Sequence, residues 1–174
     1  MANLLPHMKV VRLVATDFDG VHTNGFVFVD QNGIESVRVS RKDGLAFDML
    51  KKASIDACII SKEANPVVAA RAAKLRIPCH QAVATGEGKR EILERITHEL
   101  RLSPGNVLYM GNDLNDIEAL TWAGVPACPA DSHSKVLALV RSRGGYVAKQ
   151  NGGDAVIREV VETILEAKGL PLAF

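Results

Sequence analysis

Apolar residues along the chain follow two rhythms. Short β-rich runs occur at 10–16, 56–61, 107–110 and 125–128. Between them the spacing becomes that of one helical face: Ile92, Leu93, Ile96 and Leu100, then Val156, Ile157, Val160, Val161, Ile164 and Leu165. Pro66 suits the first turn of a helix reaching about Leu75, with Asn65 as its cap. Strands alternating with helices of this length predict parallel βαβ units, and so an α/β fold with an open, doubly wound, mainly parallel sheet. Such sheets bind ligands beyond the carboxyl ends of their strands.

One segment breaks the alternation. Residues 26–40 hold two β-type runs around Asn32-Gly33, a strong hairpin signal. The hairpin follows the first strand directly, which places it as a flap over the ligand-binding end. The chain shows no linker, low-complexity tract or internal repeat, so 1–174 is expected to be one domain, with a loose tail over 169–174.

Composition narrows the function. Hydrophobic residues at 47% and charged residues at 24% fit a folded globular chain. A net charge of +1 and 5% aromatics argue against a dedicated nucleic-acid surface, which needs a basic excess and stacking rings. No apolar run approaches the roughly 20 residues that span a bilayer, and residues 1–10 lack the apolar core and cleavage site of a signal peptide. Cys58, Cys79 and Cys128 are odd in number with no C-x-x-C pair, as expected of reduced thiols in a cytoplasmic protein rather than of a zinc site.

The residues suited to chemistry lie at the predicted strand ends. The first strand runs into Asp17-Phe18-Asp19-Gly20. There, one carboxylate can attack phosphorus while its neighbour moves the leaving-group proton, and a divalent cation offsets the repulsion between two anions. By itself such a motif also fits an ordinary βα loop or a calcium loop. Ser61, ending the 56–61 strand, can hold phosphate oxygens beside a helix N-terminus or simply cap it. Lys89 opens a helix over 89–100, following the glycine-containing stretch 85–88. The macrodipole disfavours a cation there, so Lys89 is expected either to have a specific anionic partner or to be solvated. Gly111-Asn112-Asp113-Leu114-Asn115-Asp116 clusters oxygen ligands of the kind Mg²⁺ takes, or forms an Asx-rich turn.

Taken together, Asp-x-Asp, a strand-terminal Ser, a Lys and an Asp/Asn cluster in this order resemble the haloacid dehalogenase superfamily of phosphotransferases over nearly the whole chain. Receiver domains also use aspartates, a hydroxyl and a lysine, but in a different order. The resemblance implies that Asp17 is the nucleophile and forms an aspartyl-phosphate. It implies that Asp19 is the general acid and base and lends a backbone carbonyl to Mg²⁺. Ser61 and Lys89 would hold the phosphoryl group. Asp17, Asp19 and Asn112 would ligate the metal, with support from Asp113 and Asp116.

The short flap, Lys42-Asp43-Gly44 and the late Gly152-Gly153-Asp154 stretch are similar to the capless sugar-acid phosphatase subfamily, and to modules attached to N-acylneuraminate cytidylyltransferases. This similarity implies a ulosonic acid phosphate substrate and a homotetramer in which a neighbouring flap closes each site. Glu63 and Arg71 resemble the pattern of enzymes acting on nine-carbon, sialic-type acids. That implies Arg71 or Lys74 on the substrate carboxylate, with Glu63 orienting Arg71; the alternative is a solvated helix face. Asn112 departs from the family pattern, which has Asp there. The lost charge implies weaker metal binding, or a catalytically silent assembly module.

Overall fold

The computed structural model describes residues 5–82 and 86–172. In chain order the strands are β1 (Leu13–Thr16), β2 (Phe28–Val29), β3 (Glu35–Ser36), β4 (Asp56–Ile60), β5 (Cys79–His80), β6 (Val107–Met110), β7 (Val125–Cys128) and β8 (Tyr146–Val147). The helices are α1 (Leu5–Lys9), α2 (Arg41–Lys52), α3 (Pro66–Leu75), α4 (Gly86–Glu99), α5 (Ile117–Trp122), α6 (Ser134–Ser142) and α7 (Val156–Lys168).

Six strands form one sheet in the order β5-β4-β1-β6-β7-β8, with every pair parallel. The chain winds from β1 outward to β5, then returns to start again at β6 beside β1. The switch point of this α/β sheet therefore lies between β1 and β6, the place where sheets of this kind bind their ligands.

Side-chain alternation sorts the core. Val14, Leu108, Met110, Val125 and Ala127 pack with Phe47 and the apolar stripe of α7. Leu13, Ala15, Val107 and Tyr109 face the opposite layer, with Leu93, Leu120 and Val136. All six predicted apolar positions of α7 are buried. Asn65 caps α3 by accepting from the Val67 N–H at 3.0 Å, and Pro66 occupies its first turn.

The structure departs from the sequence pattern in four places. Leu100 lies beyond the end of α4 and is 37% exposed, so it is not part of the buried stripe. Residues 5–9 are helical, and the run predicted from residue 10 joins the ladder at Arg12, whose N–H donates to the Asn106 carbonyl at 2.8 Å. β5 and β8 carry two residues each, too few to show a period. Helix α4 starts at Gly86 rather than at Lys89; residues 83–85, including part of the glycine-containing stretch, and residues 173–174 of the tail lie outside the described residues.

The predicted hairpin is present, paired at Phe28↔Ser36 and Val29↔Glu35. Its turn is held by Asp30, whose Oδ1 accepts from the N–H groups of Asn32 and Ile34 at 2.8 and 2.9 Å, while Gly33 takes a φ of +76°. The flap is tied down by an Arg38–Asp154 ion pair at 3.0 Å and by Asn65 Nδ2 donating to Glu35 Oε2 at 3.1 Å. Among the described residues, no helix is long and apolar enough to cross a membrane.

Candidate active site

Asp17 continues β1 into the crevice, its N–H donating to the Met110 carbonyl at 2.8 Å. Its Oδ1 accepts from the Phe18 N–H at 2.7 Å, and its Oδ2 lies 2.9 Å from Lys89 Nζ. Lys89 reaches this point from the first turn of α4. Its ammonium also lies 2.7 Å from Asp116 Oδ1, and neither of these two side chains has any solvent exposure. Tyr109 Oη donates to the same Asp116 oxygen at 2.7 Å. Asp116 Oδ2 accepts from the N–H groups of Asn112 and Asp113 at 2.8 and 3.1 Å.

Asp116 is therefore a hub, with its acceptor capacity directed at Lys89, Tyr109 and the loop backbone. Its contacts hold Lys89 and the backbone of the 111–116 loop. A side chain at Gly111 would overlap it, since a Cβ there would stand 2.4 Å from Asp116 Cγ.

The electrostatics of this trio point outward. Two carboxylates and one ammonium bury a net negative charge, which is costly away from water. Burial, reinforced by Asp116, pushes the Asp17 carboxyl up to about 7 against the opposing pull of Lys89. The two carboxylates raise Lys89 despite its burial. Asp19, half-buried beside them, is raised by burial and then by the Glu63 charge. A raised carboxyl suits a group that must first give a proton and then take one. Ser61 Oγ accepts from the Glu63 N–H at 3.1 Å, which leaves its own hydroxyl proton free to donate to an anion.

The donor set also fits a divalent cation. Asp17, Asp19 and Asn112 offer only oxygen, the preference of a hard ion, around a buried excess of negative charge. Among the described residues, no three His, Cys, Asp or Glu side chains converge into a self-contained cage. Asn112 packs directly on the 17–20 loop: a Cβ at Gly20, whose φ is +71°, would lie 2.0 Å from Asn112 Nδ2. The exposed Asp113 carboxylate caps the following turn, its Oδ1 accepting from the Leu114 N–H at 2.7 Å.

A family model of haloacid dehalogenase-like hydrolases matches residues 49–159. The chain belongs to this family. It is 30% identical over 169 residues to 3-deoxy-D-manno-octulosonate 8-phosphate phosphatase of Salmonella typhimurium, with 94% of this chain and 86% of the relative covered. Among solved structures, it superposes with a TM-score of 0.89 on the Moraxella catarrhalis 3-deoxy-D-manno-octulosonate 8-phosphate phosphatase, a complex with magnesium, phosphate and KDO. That match is 28% identical and covers 97% of this chain and 94% of the other. A putative hydrolase of the same superfamily from Streptomyces avermitilis is 38% identical with a TM-score of 0.84, covering 91% and 87%. As a haloacid dehalogenase-like hydrolase with these relatives, the chain is a phosphoric monoester hydrolase.

The remaining expected site residues of this hydrolase separate in space. Glu63 Oε1 accepts from the Asn65 N–H at 2.7 Å, whereas Arg71 Nη2 donates to the Ser40 carbonyl at 2.8 Å. Glu63 therefore does not orient Arg71. The solvated-face alternative fails for Arg71 too, since it is only 9% exposed and its guanidinium faces Asp43 beneath the start of α2. Asp43 turns its own Oδ1 to the Arg158 N–H at 2.9 Å, which joins the starts of α2 and α7. Lys74 is exposed on α3.

Tyr109, the Phe18 N–H and Thr23 were absent from the expected set. Tyr109 gave one available signal, a polar tip inside an otherwise apolar run. Thr23 Oγ1, which accepts from the N–H groups of Gly20 and Gly25 at 3.2 and 3.1 Å, gave none.

Proposed function

We propose that the chain is a Mg²⁺-dependent phosphatase of ulosonic acid phosphates that works through an aspartyl-phosphate on Asp17. The supporting observation is the fully buried Lys89 bridging Asp17 and Asp116, a costly arrangement that an anionic phosphoryl group and a cation would complete. In the first step, an Asp17 oxygen bonds to phosphorus, the bond from phosphorus to the sugar oxygen breaks, and Asp19 protonates the departing alkoxide. In the second, water attacks the same phosphorus, Asp19 takes its proton, and Asp17 is released with inorganic phosphate. Ser61 and Lys89 orient the phosphoryl oxygens throughout, and Asp116 keeps Lys89 aimed. Mg²⁺, held by the Asp17 carboxylate, the Asp19 carbonyl and the Asn112 amide oxygen, would supply charge neutralisation.

The named relatives act on an eight-carbon acid phosphate. The Glu63–Arg71 pairing that favoured a nine-carbon acid is not formed, so the octulosonate 8-phosphate is the first substrate to test and the nononate 9-phosphate the second. Phosphate release from both, with Mg²⁺ and with a chelator, is the deciding assay. Mg²⁺-dependent turnover is expected. Folded protein that turns over neither would favour the silent-module reading, which rests on Asn112 alone.

Assembly into a homotetramer belongs to the same proposal. Phe26, Phe28, Val29 and Ile34 of the flap are 73, 68, 59 and 65% exposed, an apolar strip of the kind that a second copy covers. Light scattering should give the mass of a tetramer. The Phe26→Ser, Phe28→Ser double variant should dissociate it; an unchanged mass would remove the flap from the interface.

A further inference from the structure

His22 ends the loop that begins at the nucleophile, and nothing in the reaction above uses it. It is 1% exposed. Its backbone N–H donates to the Phe18 carbonyl at 2.8 Å, which closes the loop into a turn. Its ring is stacked between Phe18 and Phe47, with centroids 5.4 and 5.6 Å away. Nε2 lies 2.9 Å from Thr16 Oγ1, whereas Nδ1 has no hydrogen-bond partner among the described residues.

This is an expensive residue for a packing role. An aliphatic side chain could fill the slot between two phenyl rings without burying a partnerless nitrogen. Burial holds the imidazole neutral, down to about 3, and the nearby Arg71 charge adds to the effect. Among the described residues, the one polar contact of the ring is with Thr16, the last residue of β1 and the one before Asp17. Alternation along β1 turns Val14 and Thr16 towards the α2 side, where Phe47 backs the ring. Asp17 is thus held on three sides: by its N–H on Met110, by its carboxylate on Lys89, and by its preceding residue through the imidazole.

We propose that His22 is a positioning residue, stapling the end of the nucleophile loop to Thr16 so that Asp17 is held in line for attack. The proposal rests on Asp17 being the nucleophile. A displacement of about 1 Å at a reacting group costs on the order of a hundredfold in rate. His22→Leu and Thr16→Val should therefore each lower kcat roughly ten- to a hundredfold with KM within about twofold, using p-nitrophenyl phosphate with Mg²⁺ as the probe. The double variant should lose no more than the worse single, because both changes break one bond. His22→Gln, which keeps a polar tip, should recover most of kcat. Full kcat in folded single variants, or losses that multiply in the double, would overturn the staple.

A second measurement needs no turnover. Nitrogen NMR of the His22 ring at neutral pH should show one protonated and one bare nitrogen, and Thr16→Val should move the Nε2 signal. An unmoved Nε2 signal rejects the staple, whereas an inactive wild type with a shifted Nε2 counts against the proposed function alone. Thr16→Val is nearly isosteric, so it keeps the test available if His22→Leu fails to fold.

Discussion

Asp17→Asn is expected to lower phosphate release by at least about a thousandfold, the scale on which removing a covalent nucleophile acts. The amide keeps the shape of the carboxylate, and its oxygen can still accept from the Phe18 N–H, which now donates at 2.7 Å. What disappears is the charged oxygen 2.9 Å from Lys89 and the capacity to bond to phosphorus. Stability should change little by comparison. The lost ion pair is offset by relief of a buried carboxylate that its surroundings already disfavour in the charged form, as its rise to about 7 records. Phosphate release and thermal unfolding of the same preparation check both halves. Retained activity would remove Asp17 as nucleophile, and a collapsed fold would mean that the ion pair carries more stability than this reading assigns it.

Lys89→Met should act on both activity and stability. The methionine matches the lysine stem, but it leaves Asp17 and Asp116 buried without their shared cation. Breaking a buried ion pair from one side costs about 3–5 kcal/mol. For a chain of this length that is roughly 6–20 °C in melting temperature. Activity should fall with it, since no ammonium remains to hold the phosphoryl oxygens.

The penalty should also depend on pH. Lys89 is one of the groups holding the Asp17 carboxyl down, so without it Asp17 rises above its present value of about 7. A carboxyl whose folded pKa lies above its unfolded value contributes stability that is full below the unfolded pKa and is lost as pH rises through the folded one. In metal-free protein the melting-temperature gap between wild type and Lys89→Met should therefore be larger at pH 8 than at pH 5. A gap that is flat, or that narrows as pH rises, would show that Lys89 does not stabilise the Asp17 charge.

Several parts of the molecule were legible from local sequence because the forces behind them are local. A β-rich apolar run between helical stripes can only be buried in a layered α/β sheet, and β1, β4, β6 and β7 lie where those runs lie. Asn65 and Pro66 start α3 through one side-chain hydrogen bond and one fixed φ, both properties of adjacent residues. Asn32-Gly33 turns the flap for the same reason. The placing of Asp17, Asp19, Ser61, Lys89 and the 111–116 cluster after predicted strands or at a helix start pointed to one edge of the sheet, since parallel strands deliver all their carboxyl ends to one edge.

Other features needed the third dimension. No spacing rule joins Lys89 to Asp116 across 27 positions, or Tyr109 to the same carboxylate; the packing of α4 against the turn that follows β6 brings Lys89 to Asp116, and that turn folds Asp116 back over Tyr109, each at 2.7 Å. Arg71 and Glu63 resembled a pair eight residues apart, yet the chain entering α2 offers Arg71 the part-buried Ser40 carbonyl at 2.8 Å, and a solvated ion pair is worth too little to compete with that fixed acceptor. His22 carried no signal at all, because its meaning lies in the strand end it reaches back to and the two rings that enclose it. The sequence by itself determined the elements, their layering and the chemical kinds of group at the crevice, because these depend on periodicity and neighbouring residues. Tertiary structure alone decided which of those groups share protons and charge, because hydrogen bonds and buried ion pairs depend on distances of a few ångströms between residues far apart in the chain.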